Sequence, residues 1–496
     1  MKQAAGVVLF LEGDRVGGAD PVRWLWVRRA DRARFLPGFH SFPGGAVDEG
    51  DAHMPTDAPS HVTDVAFRVA ALRELFEEVG VLRVEVQPSA ADAARLRTAF
   101  VNAPTEGAEL FRALGLRWLA ADLEPLGRWT APEFATARFD TVFYACRVAS
   151  PPPLDLRLEE LSAAEWITGR EAFARWSRAA VRLGPPVAAV IRATLDGSTT
   201  LNAARVRASH GAAGVPSLRY EFVPGIQTLP LRTPTLPPAT HTNAFIVGTG
   251  DALLIEPASP YEEEIDRAEA WVKENAAAGI HVRALVLTHH HPDHAGGALA
   301  LAERLKLPIW AHALTAERLK GSVPVHRELA DGEVLEIDGP EPTSLRAIHT
   351  PGHAPGHLCF FHEASGSLVA GDMIAGVGTI IVEPTDGDMG LYLASLARMA
   401  ELEPTALLPA HGGAMDDPAA VLTRYREHRL ARERKVLDAL RAWNAEARPW
   451  DLLPVAYADT PELLWPLAAQ STEAHLIYLA QQGRAERRGD GWVAAR

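Results

Sequence analysis

Within six residues the chain places His289, His291, Asp293 and His294, in the run Thr288-His-His-His-Pro-Asp-His294. His353 follows in Thr350-Pro-Gly-His353, Asp372 in Gly371-Asp-Met373 and His411 in Pro409-Ala-His-Gly412. Each later residue ends or follows a short apolar run with strand character. An ordinary core has no use for this set, because buried imidazoles and carboxylates are costly unless paired. A dinuclear metal centre uses all seven, and it requires a fold whose strands end on one edge.

The apolar run Ala284 to Leu287 reads as a buried strand, so the first four residues sit at its carboxyl end, where α/β sites form. His289 and His291 reach one metal, with His353 completing that site. Asp293 and His294 point at a second, completed by His411, and Asp372 bridges the two. Imidazole and carboxylate suit two zinc ions, with iron or manganese as alternatives. Such ions make a shared water acidic enough to attack near neutral pH, and Asp293 both ligates and orients that water. Strand capping explains a single histidine, but not seven ligands in this order. His290 is expected to face away from the metals; His357 is read as either structural or substrate-facing.

At these residues the chain resembles the metallo-β-lactamase superfamily, whose HxHxDH signature His289, His291, Asp293 and His294 meet. The resemblance runs from about Arg219 to His411 and includes Thr242-Asn-Ala-Phe-Ile-Val247. It lies nearest the branch holding lactamase-β-like protein 2, an endoribonuclease, and similar hydrolases. That branch often carries a small winged-helix tail, matched here by Tyr425, His428, Arg429, Arg432 and Glu433, then Ala474-His-Leu476 and Gly491-Trp492. Glu256-Pro-Ala258 departs from the usual Asp-Pro-Gly type of turn, a change expected to alter a contact behind the ligands without touching the ligands themselves.

A second constellation lies upstream. Arg73-Glu-Leu-Phe-Glu-Glu-Val-Gly-Val81 puts Glu74, Glu77 and Glu78 on one helix face at i, i+3 and i+4. Three carboxylates so close repel each other, and hard oxygen ligands of this kind suit magnesium or manganese on a diphosphate. The helix is expected to run through Val65, Val69, Leu72, Phe76 and Val79, with Thr63 or Asp64 as cap and Gly80 as stop. Phe42-Pro-Gly-Gly45 is expected to form a tight turn that lets backbone approach it.

These residues resemble the Nudix box, GX5EX7REUXEEXGU, at Gly45, Arg73, Glu74, Glu77, Glu78 and Gly80. Asp51 stands for the first glutamate, and the gap to Arg73 is fourteen residues longer than standard, an insertion at about 52–65 expected to be a loop. The pattern is similar to the subgroup that includes a peroxisomal coenzyme A diphosphatase. Arg29, Arg34, Gly38 and Phe42-Pro-Gly-Gly45 match most of its coenzyme A signature, and Arg138-Phe-Asp140, Glu165-Trp166 and Pro185-Pro186 extend the match. The resemblance implies metal binding by Glu74, Glu77 and Glu78, one of them acting as base, and substrate binding at Arg29, Arg34, Gly45 and Arg73. A solvated charged face or an inert Nudix fold is the competing account.

With 496 residues the chain exceeds one core. The expected architecture is α/β multidomain: a Nudix α/β/α sandwich over 1–200, a linker over 201–218, a metallo-β-lactamase αββα sandwich over 219–417, and a winged-helix-like tail over 418–496. Strands are expected at Ala5 to Phe10, Trp24 to Val27 and Thr141 to Val148. A net charge of −14 argues against coating nucleic acid or anionic membrane. Cys146 and Cys359, far apart, form no disulfide framework, and neither a leader nor a spanning stretch is apparent, so a cytoplasmic chain is expected. From Arg424 to Arg448, eight Lys or Arg face four acids, but Ser471 to Gln482 has none to present to a DNA groove.

The expected function is bifunctional hydrolysis: a coenzyme A-like diphosphate in the first half, an ester or thioester in the second. RNA is the competing substrate for the second half. A regulator with an inert, nucleotide-sensing Nudix domain is the reading from another class. Small-molecule phosphate or thioester substrates, no membrane and a homodimer complete the expectations.

Overall fold

The computed structural model describes residues 2–13, 21–33, 37–130, 139–208, 220–443 and 445–495. It divides into two units, Met1–Glu221 and Phe222–Arg496.

In the first unit the apolar run Lys2–Leu11 is the central strand. It pairs in parallel with Phe139–Arg147, and antiparallel with Arg23–Arg29 near one end and with Gly44–Ala46 near the other. Glu124–Thr130 and Leu161–Thr168 extend the sheet on its two sides. Apolar side chains leave both faces, as a sheet covered twice requires. One face packs Val7, Leu9 and Leu25 against Leu72, Leu75, Phe76 and Val79. The other packs Trp24, Trp26 and Phe42 against Trp176, Val190 and Ile191.

Helix Val65–Val79 stops at Gly80, whose φ of 78° is the left-handed closing geometry that suits glycine. Asp64 stands at the expected cap position, and its carbonyl accepts the Arg68 N–H at 3.1 Å. Its carboxylate caps no backbone N–H; it accepts from Arg68 Nε at 2.8 Å and the Tyr144 hydroxyl at 2.7 Å. Phe42-Pro-Gly-Gly45 leads into strand Gly44–Ala46 rather than closing a tight turn, yet it does bring backbone to the helix. The expected linker also needs correction. Ala203–Ala208 is helical, with Ala203 and Val206 buried in the first unit's core, so ordered structure runs at least to 208. Residues 209–219 lie outside the described residues, as do Arg34 and Arg138.

The second unit holds a seven-stranded and a five-stranded sheet. Strands His281–Val286, Thr343–His349, Ser367–Gly371 and Ala406–Pro409 end near one rim. Asn243 ties the two sheets there: its amide nitrogen donates to Pro409 O at 2.9 Å and Gly412 O at 2.7 Å. Helix Pro418–Ala442 then connects onward to helices Pro449–Ala456 and Trp465–Gln481 and to hairpin Ala485–Arg488/Gly491–Ala494. The tail therefore packs in the same unit as the two sheets. Among the described residues, no helix is long and apolar enough to cross a membrane.

Candidate metal centres

All seven residues expected at the carboxy-terminal centre converge on the rim. His289 Nε2 lies 3.0 Å from His291 Nδ1 and 3.3 Å from His353 Nε2, and the latter two are 3.0 Å apart. Three hydrogen bonds cannot close this triangle, because the opposite nitrogen of each ring is already committed as a donor. His291 Nε2 faces the Asp386 carboxylate at 3.0 Å, and His353 Nδ1 donates to Ile381 O at 2.8 Å. Thr288 gives its hydroxyl hydrogen to Glu256, so His289 Nδ1, at 2.9 Å, donates to the Thr288 oxygen. Three lone pairs are left aimed at one point, the donor set of a bound cation.

Asp293, His294 and His411 form the second group. His411 Nδ1 donates to His241 O at 2.9 Å, which turns Nε2 toward Asp372 Oδ1 at 3.3 Å and Asp293 Oδ2 at 3.5 Å. Asp372 Oδ2 lies 3.5 Å from both His294 Nε2 and His353 Nε2, so this carboxylate spans the two groups. His294 Nε2 and Asp372 Oδ1 are buried without a hydrogen-bond partner among the described residues. Such orphaned atoms are expensive unless a metal meets them.

Burial, reinforced by neighbouring rings, keeps His289 and His353 in the neutral form that ligates, with His353 down at about 4. Burial also opposes charge on His294, but Glu256, Asp372 and Asp293 override it and hold its pKa well above the usual imidazole value. Burial would raise Asp372; His294 and His411 instead hold it well below the usual carboxylate range.

Glu256, where a contact behind the ligands was expected to change, backs one of them. Its Oε1 lies 3.1 Å from His294 Nδ1, with no exposed surface on either side chain. Its φ of 63° places a Cβ-bearing residue in left-handed backbone, strain that accords with a positioned functional group. His290 stands outside both ligand groups, 3.2 Å from Asp386. His357 is resolved as structural: its Nε2 accepts the Asp372 N–H at 3.0 Å and its Nδ1 donates to Thr350 Oγ1 at 2.9 Å. Gly371, at φ 48°, leaves room for that ring, which any Cβ would strike. A cleft of about 570 Å³ opens beside His290, His291 and Asp386, walled by Leu299 and Leu319, with Arg318 facing Asp386 at 3.1 Å.

In the amino-terminal unit Arg73 organises the acids. Asp51 accepts from its Nε at 3.0 Å and Nη2 at 3.2 Å, while Glu74 and Glu77 accept from Nη1 at 2.9 and 2.8 Å. Ala46 O takes a further bond at 2.7 Å. Asp51, the departure from the box, therefore pairs with Arg73 across the insertion. Arg73 is buried and fully engaged, so its expected substrate contact is corrected to a positioning role. Gly45 is corrected likewise: a Cβ there would run into the Glu74 carboxylate, so the position provides clearance. Gly44 N–H donates to Glu78 Oε2 at 3.0 Å.

Burial pushes Glu74 up to about 7 against the pull of Arg73, and raises Glu78 well above the carboxylate range with Glu74 adding repulsion. Carboxylates this crowded fit a divalent cation, which would relieve that repulsion. Glu160 also repels Glu74 and Glu78. Its own carboxylate is paired with Arg157 at 3.0 Å. Arg29, at the end of strand Arg23–Arg29, is near enough for its charge to favour the ionised Glu78.

Comparison with known proteins agrees with this division. Residues 237–411 match the metallo-beta-lactamase superfamily, 54–192 the NUDT19 Nudix domain, and 449–492 the beta-lactamase associated winged helix domain. An atrochrysone carboxyl ACP thioesterase of Aspergillus chevalieri is 34% identical over 201 residues, 40% of this chain and 60% of that protein. The chain thus spans less than two thirds of that relative. A beta-lactamase-like protein 2 homolog of Caenorhabditis elegans is 29% identical over 250 residues, covering 49% of this chain and 80% of that protein. A beta-lactamase domain protein from Burkholderia ambifaria matches in fold, with a TM-score of 0.50 and 22% identity over 57% of this chain and 96% of its own. In one polypeptide the chain joins a Nudix domain to a metallo-β-lactamase domain and its associated winged helix, domains that indicate a hydrolase.

Proposed function

We propose that the chain is a bifunctional hydrolase whose metallo-β-lactamase half cleaves an ester or thioester and whose Nudix half cleaves a coenzyme A-like diphosphate. The observation that carries the first activity is the triangle of His289, His291 and His353 lone pairs beside the Asp293–His294–His411 group. Metals bound there would supply a Lewis acid and a more acidic attacking water. The chain's own part is to fix each ring's tautomer through Asp386, Glu256, Thr288 and the carbonyls of Ile381 and His241. Asp293, grouped with His294 and His411, would orient the water.

The cleft's apolar wall suits an acyl chain, and Arg318, which lines it in a pair with Asp386, is its cation toward an anionic substrate. A relative named as an ACP thioesterase accords with this choice. In the Nudix half, Glu74, Glu77 and Glu78 would hold magnesium or manganese, and Arg29 would meet phosphate. The inert-regulator account loses ground to that acid cluster, which a merely solvated helix would not bury. RNA is the lesser reading, because two of the tail's arginines, Arg429 and Arg432, are buried in internal bonds.

Mass-resolved product analysis of an acyl-coenzyme A with the pure protein, magnesium and zinc tests this. Free thiol release should disappear in His289→Ala and persist in Glu78→Gln; release of 3′,5′-ADP should show the reverse. An intact substrate with wild-type protein would end the shared-substrate reading and bring RNA forward.

A further inference from the structure

The tail's sequence motif, Tyr425 to Glu433, is absorbed by neither activity. It lies in helix Pro418–Ala442, where Tyr425, Arg429 and Arg432 follow at i, i+4 and i+7 and so share one face. The two ends of that face hold different things. Arg432 bonds the Ala456 carbonyl and pairs with Asp459 at 2.8 Å, and Glu433 pairs with Arg484 at 2.6 Å, all within the winged-helix segment or its lead-in. One to two turns earlier, the same helix grips the segment that follows Asp372.

That grip is specific. The Tyr425 hydroxyl accepts the Ala375 N–H at 2.9 Å and donates to the Ala375 carbonyl at 2.7 Å. Arg429, 5% exposed, donates to the Ile380 carbonyl and stacks its guanidinium 5.2 Å over the Tyr392 ring. Tyr392 in turn donates to Met373 O at 2.7 Å. The segment 373–382 is thus clamped at Met373, Ala375 and Ile380, immediately after the Asp372 carboxylate and immediately before Ile381. Ile381 O is the acceptor that fixes the His353 tautomer.

We propose that Tyr425 and Arg429 are positioning residues of the metal centre: they hold the Asp372-to-Ile381 segment so that Asp372 and His353 face the metals together. The tail's first helix then serves as a brace for the hydrolytic site. This rests on reading the rim as a metal centre, but not on any substrate. Groups that orient ligands commonly change metal affinity 10–100-fold when removed. A brace one bond further out should act near the lower end of that range.

The test is zinc affinity of the full-length protein by competition with a chromophoric chelator, in excess magnesium to occupy the carboxylate site. Tyr425→Phe keeps the ring and loses both Ala375 bonds; its zinc dissociation constant should rise about tenfold. Arg429→Lys, which keeps a donor, should weaken binding less than Arg429→Met. Asp459→Asn, which weakens the Arg432 pairing and touches none of the contacts to segment 373–381, is the stability control and should leave zinc affinity unchanged. Wild-type affinity in Tyr425→Phe would overturn the brace while leaving the metal centre standing. Equal weakening in Asp459→Asn would overturn it too, by reducing the effect to general stability. No zinc binding by wild type would remove the metal centre itself and the brace with it.

Discussion

At the residue scale, each metal-facing nitrogen owes its direction to a partner on the ring's other side. Glu256 is the most exposed to test, since it faces His294 and takes the Thr288 hydroxyl that receives His289. Glu256→Gln keeps the shape and removes the charge that holds His294 in place. The expected result is a 10–100-fold loss of zinc affinity, read by chelator competition, with the fold retained by circular dichroism. Unchanged affinity would mean that Glu256 serves only the backbone turn. Sequence made the seven ligands legible because they come densely spaced and in order. Glu256 was visible only as a departure from a usual turn, and Asp386 was not visible at all: it sits ninety-five residues from His291 in an irregular segment with no periodicity. Arg73 and Gly45 were noticed but misread, because a motif shows which residues recur and not which way a side chain points.

At the scale of elements, helix Trp465–Gln481 carries a buried group with no partner. His475 has no exposed surface and neither ring nitrogen finds a hydrogen bond among the described residues. Burial, with Arg429, Arg432 and His428 nearby, lowers its pKa from 6.5 to about 3. The folded pKa lies below the unfolded one, so the fold favours the neutral ring. Its stability contribution is whole above about 6.5 and is lost as pH falls toward 3, at roughly 1.4 kcal/mol per pH unit. His475→Leu should therefore gain in Tm over wild type as the medium is acidified from pH 7 to 5. Parallel profiles for the two proteins would contradict the assignment. Periodicity made such helices legible and fixed the stop at Gly80, whereas helix Ala203–Ala208 was missed because six residues give too few turns for a pattern.

At the scale of the whole molecule, each of the two units has its own core and its own acid- or imidazole-lined centre, so a substitution at one should leave the other's metal in place. The overall architecture was legible because two unrelated motif sets occupied separate stretches of sequence. The packing of the tail with the two sheets was not, since no motif records which face of a helix meets which loop. The central claim is that the rim of the second unit holds two metals between seven residues. Anomalous scattering from a crystal of the zinc-loaded protein tests it most directly. The account predicts two peaks: one within bonding distance of His289 Nε2, His291 Nδ1 and His353 Nε2, the other of Asp293, His294 and His411, with Asp372 between them. A rim without a peak, or a His291 ring turned to present Nε2, would contradict it.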